Sequence, residues 1–63
     1  MFKVITHWDS NMRAQKESVY YFSDYDLAFH EAYKQFDRYC KNQGDYVSVI
    51  DTRHNSLLNY MGY

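Results

Sequence analysis

Three histidines and one cysteine are the side chains of this sequence best suited to chemistry near neutral pH. Two local pairs, His7 with Asp9 and His54 with Asp51, could share a proton or offer two ligands to a metal ion. A zinc site needs about four ligands at characteristic spacings, and Cys40 has no second cysteine to accompany it. We therefore expect no metal, no cofactor and no ligand role for any of the histidines.

The cysteine and the carboxylates give no catalytic signature either. Cys40 falls on the apolar side of a predicted helix, near its C-terminus, where burial and the helix dipole both disfavour a thiolate. Asp24 and Asp26 form a carboxylate pair, but they lie where a helix is predicted to begin. The helix dipole favours negative charge at that end, which accounts for both residues without catalysis. Gly44 and Gly62 are the only glycines, which excludes a glycine-rich phosphate loop. We expect that the protein is not an enzyme.

The clearest predicted element is an amphipathic helix from about Asp24 to Asn42. Ser23 is the expected N-cap, with Asp26 completing a capping box, and Phe22 and Leu27 are spaced as a hydrophobic staple. At about 100° per residue, the apolar and aromatic residues share one side of this helix, which indicates that it lies on a flat apolar surface. These residues are Tyr25, Ala28, Phe29, Ala32, Tyr33, Phe36, Tyr39 and Cys40.

The segments on either side of the helix are predicted to be strands, because they alternate or are rich in β-branched and aromatic residues. They are Phe2–Trp8, Ser18–Phe22, Tyr46–Ile50 and Leu57–Met61. In the first strand, alternation directs Val4 and Trp8 toward the helix and Ile5 and His7 away from it. The polar segment Asp9–Glu17 is expected to be a loop or the tip of a long hairpin.

The predicted order is β-β-α-β-β. The expected fold is α+β, an antiparallel sheet with one amphipathic helix packed on one face, in a single small domain spanning residues 1–63. One helix covers only one face of such a sheet, so the other face is expected to remain open.

Aromatic residues make up 21% of the chain, and most of them are tyrosine. A domain of about 60 residues buries only about 60% of the surface that its unfolded chain exposes, so several rings must reach the surface. Tyr and Trp are enriched at protein interfaces, and an uncovered apolar face is commonly a contact surface. The composition therefore favours a binding function.

The candidate partner-binding residues come from the open face, the polar loop and the C-terminal segment. They are Ile5, His7, Met12, Arg13, Val19, Tyr21, Tyr46, Tyr60 and Tyr63. Tyr20 alternates with Tyr21 and is expected to face the helix, so that Tyr21 faces outward with Val19.

Charge and hydropathy restrict the class of partner. A net charge of −1 and a pI near 6.2 disfavour nucleic acid, and no apolar stretch is long enough to span a membrane. One free cysteine without a disulfide framework fits a reducing compartment, so we expect a cytoplasmic location.

These observations favour a small free-standing protein that binds another protein and forms a homodimer. Its size is typical of phage or mobile-element products that inhibit or modulate a larger host protein, and of antitoxins. Two alternatives stay open at this point. One is a single-stranded nucleic-acid-binding protein that stacks bases on the open sheet face, and the other is a structural subunit of a larger assembly.

Overall fold

Four strands and one helix follow one another in the predicted order β-β-α-β-β. The computed structural model describes residues 1–10 and 14–63, so the candidates Met12 and Arg13 lie outside the described residues. The elements are β1 (Phe2–Ser10), β2 (Ala14–Phe22), α1 (Tyr25–Tyr39), β3 (Tyr46–Asp51) and β4 (Ser56–Gly62). Within the described ranges, no helix combines the length and apolar character needed to cross a membrane.

The strands form one antiparallel sheet in the order β2-β1-β3-β4. The first hairpin is longer than the sequence predicted, because Trp8 pairs with Lys16 and Asp9 with Gln15. Much of the expected loop Asp9–Glu17 is therefore strand. Ladder hydrogen bonds join backbone groups, so pairing continues through polar residues that give no apolar alternation.

The core consists of small side chains. Val4 from β1 and Val49 from β3 pair directly, and Val47 lies beside them; all three are fully buried. Ala28 and Ala32 of α1, also fully buried, cover these valines. Larger side chains pack around this centre, and no aromatic ring in the described residues is fully buried. These partly buried residues are Phe2, Phe22, Tyr25, Phe36 and Met61.

The predicted buried side of the helix needs one correction. Tyr33 was expected to be buried but is 62% exposed, whereas Gln35 is buried. The Gln35 amide group donates to the Glu31 carboxylate at 2.7 Å, and its carbonyl accepts from the Thr6 hydroxyl at 3.4 Å. A polar side chain whose donor and acceptor are both hydrogen-bonded can occupy a buried position. The pattern of apolar residues alone therefore misplaced the line along which the helix contacts the sheet.

The predicted helix start was wrong by one residue. Asp24, not Ser23, is the N-cap: its backbone is extended, and its carboxylate accepts from the Asp26 amide at 2.7 Å. The expected staple is also absent, since Leu27 is exposed while Phe22 packs against the core. Asp and Ser are equally good caps, so composition alone could not decide between two adjacent candidates.

The helix ends at Tyr39, earlier than the predicted Asn42, because the chain is redirected by Asp45. The buried Asp45 carboxylate accepts from the backbone amides of Asn42 at 2.8 Å, Lys41 at 2.9 Å and Asp9 at 3.1 Å. These hydrogen bonds hold the pKa of the Asp45 carboxyl below its usual range, and the bond from the Asn42 amide has the largest effect. Asp45 thereby joins the helix exit to the end of β1.

We predict that truncating a core valine costs far more than truncating a valine on the opposite face. Val49→Ala removes two buried carbons and leaves a cavity under the helix, so the free energy of unfolding should fall by about 2 kcal/mol. The matched control Val19→Ala, at an exposed position, should cost less than about 0.5 kcal/mol. Urea denaturation measures both, and equal losses would contradict the assignment of the two faces.

The cap assignment gives a second prediction. Asp24→Ala removes the acceptor of the first-turn amide and should lower the free energy of unfolding by about 1 kcal/mol. Ser23→Ala is the control and should have little effect. Chemical denaturation of the two variants compares them, and a larger loss for Ser23→Ala would restore the cap that the sequence suggested.

The third prediction concerns acid stability. The pKa of Asp45 is lower in the folded state than in the unfolded state. The ionised carboxylate therefore stabilises the fold above the ordinary Asp pKa of about 3.9, and this stabilisation is lost as the pH falls through the lower, folded-state pKa. Asp45→Asn should therefore melt at a lower temperature than the unsubstituted protein at pH 7, with the difference shrinking toward pH 3. Asp37→Asn, at an exposed helix position, is the control. A difference independent of pH would show that Asp45 contributes through shape and not charge.

Candidate functional site

Within residues 1–10 and 14–63, no element covers the face of the sheet opposite the helix, and the residues of this face follow from the strand register. Val4 and Thr6 are buried toward the helix, so the residues that alternate with them point away. We call this surface the open face. Its members are Lys3, Ile5, His7 and Asp9 of β1, Gln15, Glu17, Val19 and Tyr21 of β2, Tyr46, Ser48 and Ile50 of β3, and Leu57 and Tyr60 of β4.

Three rings from three strands stack across one end of this face. The His7 and Tyr46 ring centroids are 5.2 Å apart at 16° between planes, and those of Tyr46 and Tyr60 are 5.6 Å apart at 21°. Nearly parallel rings at these separations overlap in an offset stack, since rings lying side by side in one plane would be farther apart. We call His7, Tyr46 and Tyr60 the aromatic column.

The column depends on a glycine that the sequence analysis did not select. Gly62 lies opposite Tyr46 in the ladder, and a Cβ atom at Gly62 would lie 2.8 Å from the Tyr60 hydroxyl oxygen. The Tyr60 ring therefore leans over Gly62 to reach Tyr46. Gly62 is one of only two glycines in the chain, and its position within an aromatic strand was the available signal.

A carboxylate stands at the other end of the column. Glu17 of β2 pairs with His7, and its Oε2 lies 3.9 Å from the His7 Nδ1. Of the residues that the structure describes, Lys3 is the one lysine or arginine on the open face. Its carboxylates are those of Glu17 and Asp9, so the described part of the face carries no excess of positive charge.

The middle of the open face carries a small buried residue between two strands with exposed tyrosines. Ser48, in register with Ile5 and Tyr60, is only 6% exposed. Tyr21 on the β2 edge and Tyr60 on the β4 edge are both well exposed. The centre of the open face therefore holds a small hydroxyl residue, and two exposed amphipathic rings lie on its edge strands.

The structure brings most of the predicted site residues together. Six of the nine candidates share the open face, namely Ile5, His7, Val19, Tyr21, Tyr46 and Tyr60. Tyr63 lies on the helix side, where its ring stacks on Phe36 at 5.1 Å. Tyr20 faces the helix side as expected but is 47% exposed, because α1 lies over β1 and β3 more than over the β2 edge.

The described residues enclose no pocket, and no three of their His, Cys, Asp or Glu side chains are placed to hold a metal ion. Cys40 is buried; burial, assisted by the Asp45 carboxylate, raises the pKa of its thiol to about 11, so it is protonated at neutral pH. His54 contacts Asp51 at 3.1 Å in an exposed turn, a pairing that lowers the pKa of Asp51 and orders the turn.

Comparison with known proteins gives no relative from which a function could be carried over. No protein-family model, no curated protein and no solved structure matches the chain. The open face is therefore the feature on which a functional proposal must rest.

Proposed function

We propose that this protein is a non-enzymatic binding module that recognises another protein through its open face. The observation that carries the proposal is the aromatic column, set among exposed apolar side chains on a sheet face that none of the described elements covers. Tyrosine supplies a large contact area and a hydroxyl at low cost in conformational entropy, and it is frequent at interface hot spots. A near-neutral apolar face of this kind suits a protein surface of matching shape.

The ring geometry favours a protein over a nucleic acid as the partner. A sheet that binds bases leaves ring faces free for stacking, whereas here both faces of Tyr46 are occupied by His7 and Tyr60. Lys3, balanced by Glu17, provides little attraction for phosphate.

The biological class belongs to the same proposal and rests on size and composition. A chain of 63 residues that presents one aromatic surface fits an inhibitor or modulator of a larger host protein, as phages and mobile elements encode, or an antitoxin. We place it in the cytoplasm, because its one cysteine is free. A homodimer is part of the proposal, and its geometry is developed below.

Two adjacent tyrosines of β2 provide the test. Tyr21 lies on the open face and is 59% exposed, whereas Tyr20 lies on the helix side and is 47% exposed. A tagged protein expressed in the source cells would capture the partner for identification, and the purified pair would then be titrated. Tyr21→Ala should weaken binding by about tenfold or more, while Tyr20→Ala should leave it nearly unchanged.

Thermal melts of the two variants provide the folding control. Equal weakening by both, or a loss confined to Tyr20→Ala, would contradict recognition through the open face. Titration with single-stranded oligonucleotides at two salt concentrations tests the nucleic-acid alternative. Tight, salt-sensitive binding that Tyr21→Ala abolishes would replace the proposed partner class.

A further inference from the structure

β4 is an edge strand whose outward-pointing backbone groups can be identified. The Tyr63 amide donates to the Asp45 carbonyl at 3.2 Å, and the Tyr63 carbonyl accepts from the Gly44 amide at 3.2 Å. Both backbone groups of Tyr63 therefore point toward the β3 side. Because these groups alternate along a strand, those of Tyr60 and Gly62 point away from β3, toward the free edge.

A second hydrogen bond leads to the same assignment from the opposite side of β3. The Thr52 amide donates to the Met1 carbonyl at 3.0 Å, so the backbone of Thr52 faces β1. Alternation then turns the backbone groups of Val47 and Val49 toward β4, where their partners are Met61 and Asn59. Tyr60, between those two partners, is again the residue that faces outward.

The side chains of β4 give this edge no charge or proline, and its one irregularity is the register shift beside Leu58 in the pairing with β3. Natural edge strands commonly carry charged residues or proline that prevent pairing with another chain. The segment Ser56–Gly62 contains neither, and Leu57, Leu58 and Tyr60 are exposed. The opposite edge, β2, carries Lys16 and Glu17.

We propose that β4 pairs with β4 of a second copy in antiparallel orientation, with Tyr60 opposite Tyr60 of the partner subunit. The pairing has a two-fold axis at Tyr60 and is self-complementary, because the Tyr60 amide of each copy would donate to the Tyr60 carbonyl of the other. Residues of a hydrogen-bonded antiparallel pair have Cα atoms about 5.5 Å apart.

The pairing would join the two sheets edge to edge. Four strands from each copy would form one sheet, with one aromatic column on each side of the axis. The same register places Asn59 opposite Met61. Gly62 comes opposite Leu58, the residue at which the β3–β4 register shifts, and no like charges meet. The dimer would join two open faces into one recognition surface, and this role rests on the proposed function. Formation of the dimer itself requires no partner protein.

Selective removal of one outward amide tests the edge. A chain of 63 residues is accessible to chemical synthesis, so the Tyr60 backbone nitrogen can be methylated while every side chain is kept. The matched control carries the methyl group on the backbone nitrogen of Tyr21. The backbone groups of its neighbours Tyr20 and Phe22 bond toward β1, so the Tyr21 amide points to the free edge of β2. Sedimentation equilibrium measures the dimer dissociation constant of each.

The unsubstituted chain should be a dimer. Methylation at Tyr60 should raise the dissociation constant by at least about tenfold, since two reciprocal hydrogen bonds are lost, and methylation at Tyr21 should not change it. Leu58→Lys should weaken the dimer as a recombinant variant, with Val19→Lys as its control. Circular dichroism of each sample verifies the fold.

Three outcomes would overturn the proposal. They are a monomeric unsubstituted chain at high micromolar concentration, a dimer lost only on methylation at Tyr21, and a dimer unaffected by both methylations. These readouts use the purified chain alone. Failure of the dimer is therefore distinguishable from failure of partner recognition, which is measured separately with Tyr21→Ala.

Discussion

The close contact between two alanines of the helix and three valines of the sheet determines how the rest of this protein is arranged. Ala28 and Ala32 lie directly over Val4, Val47 and Val49, and all are fully buried. Small side chains on both sides bring the helix near the sheet, so little space remains for a ring between the two layers. The aromatic residues that the composition makes so numerous are consequently displaced to the margins or to the opposite face.

The displaced rings fall into two groups with different roles. One group packs along the helix margins and secures the helix to the sheet through ring contacts: Trp8 with Tyr39 at 4.5 Å, Phe36 with Tyr63 at 5.1 Å, and Phe2 with Tyr25 at 5.7 Å. The other group lies on the open face, where its rings contact one another and solvent. A count of aromatic residues does not separate these groups, because both contain Tyr and both are partly exposed.

Asp45 connects the stability of the fold to the geometry of the open face. It directly precedes Tyr46 in the chain, and its carboxylate binds backbone amides of the helix exit and of the end of β1. The start of β3 is therefore held beside the end of β1, where His7 pairs with Tyr46. A single buried carboxylate thus positions the central ring of the aromatic column.

The sequence by itself determined the element types, their order and the two faces of the first hairpin. Those features are local: the alternation that separates Val4 from Ile5, or Tyr20 from Tyr21, is set by the period of a strand. The helix was predictable for the same reason, although its cap and its end depended on which carboxylate the backbone amides reached.

Tertiary structure alone decided which residues became neighbours. The strand order β2-β1-β3-β4 and its register bring His7 beside Tyr46, although the two residues are distant in the chain. The contact between Tyr60 and Tyr46 depends further on the missing side chain of Gly62. Register is set by hydrogen bonds between distant segments and by the fit of the helix on the sheet, and neither leaves a periodic signal in the sequence. The presence of an aromatic face could therefore be predicted, whereas the stacked column that gives it a shape could not.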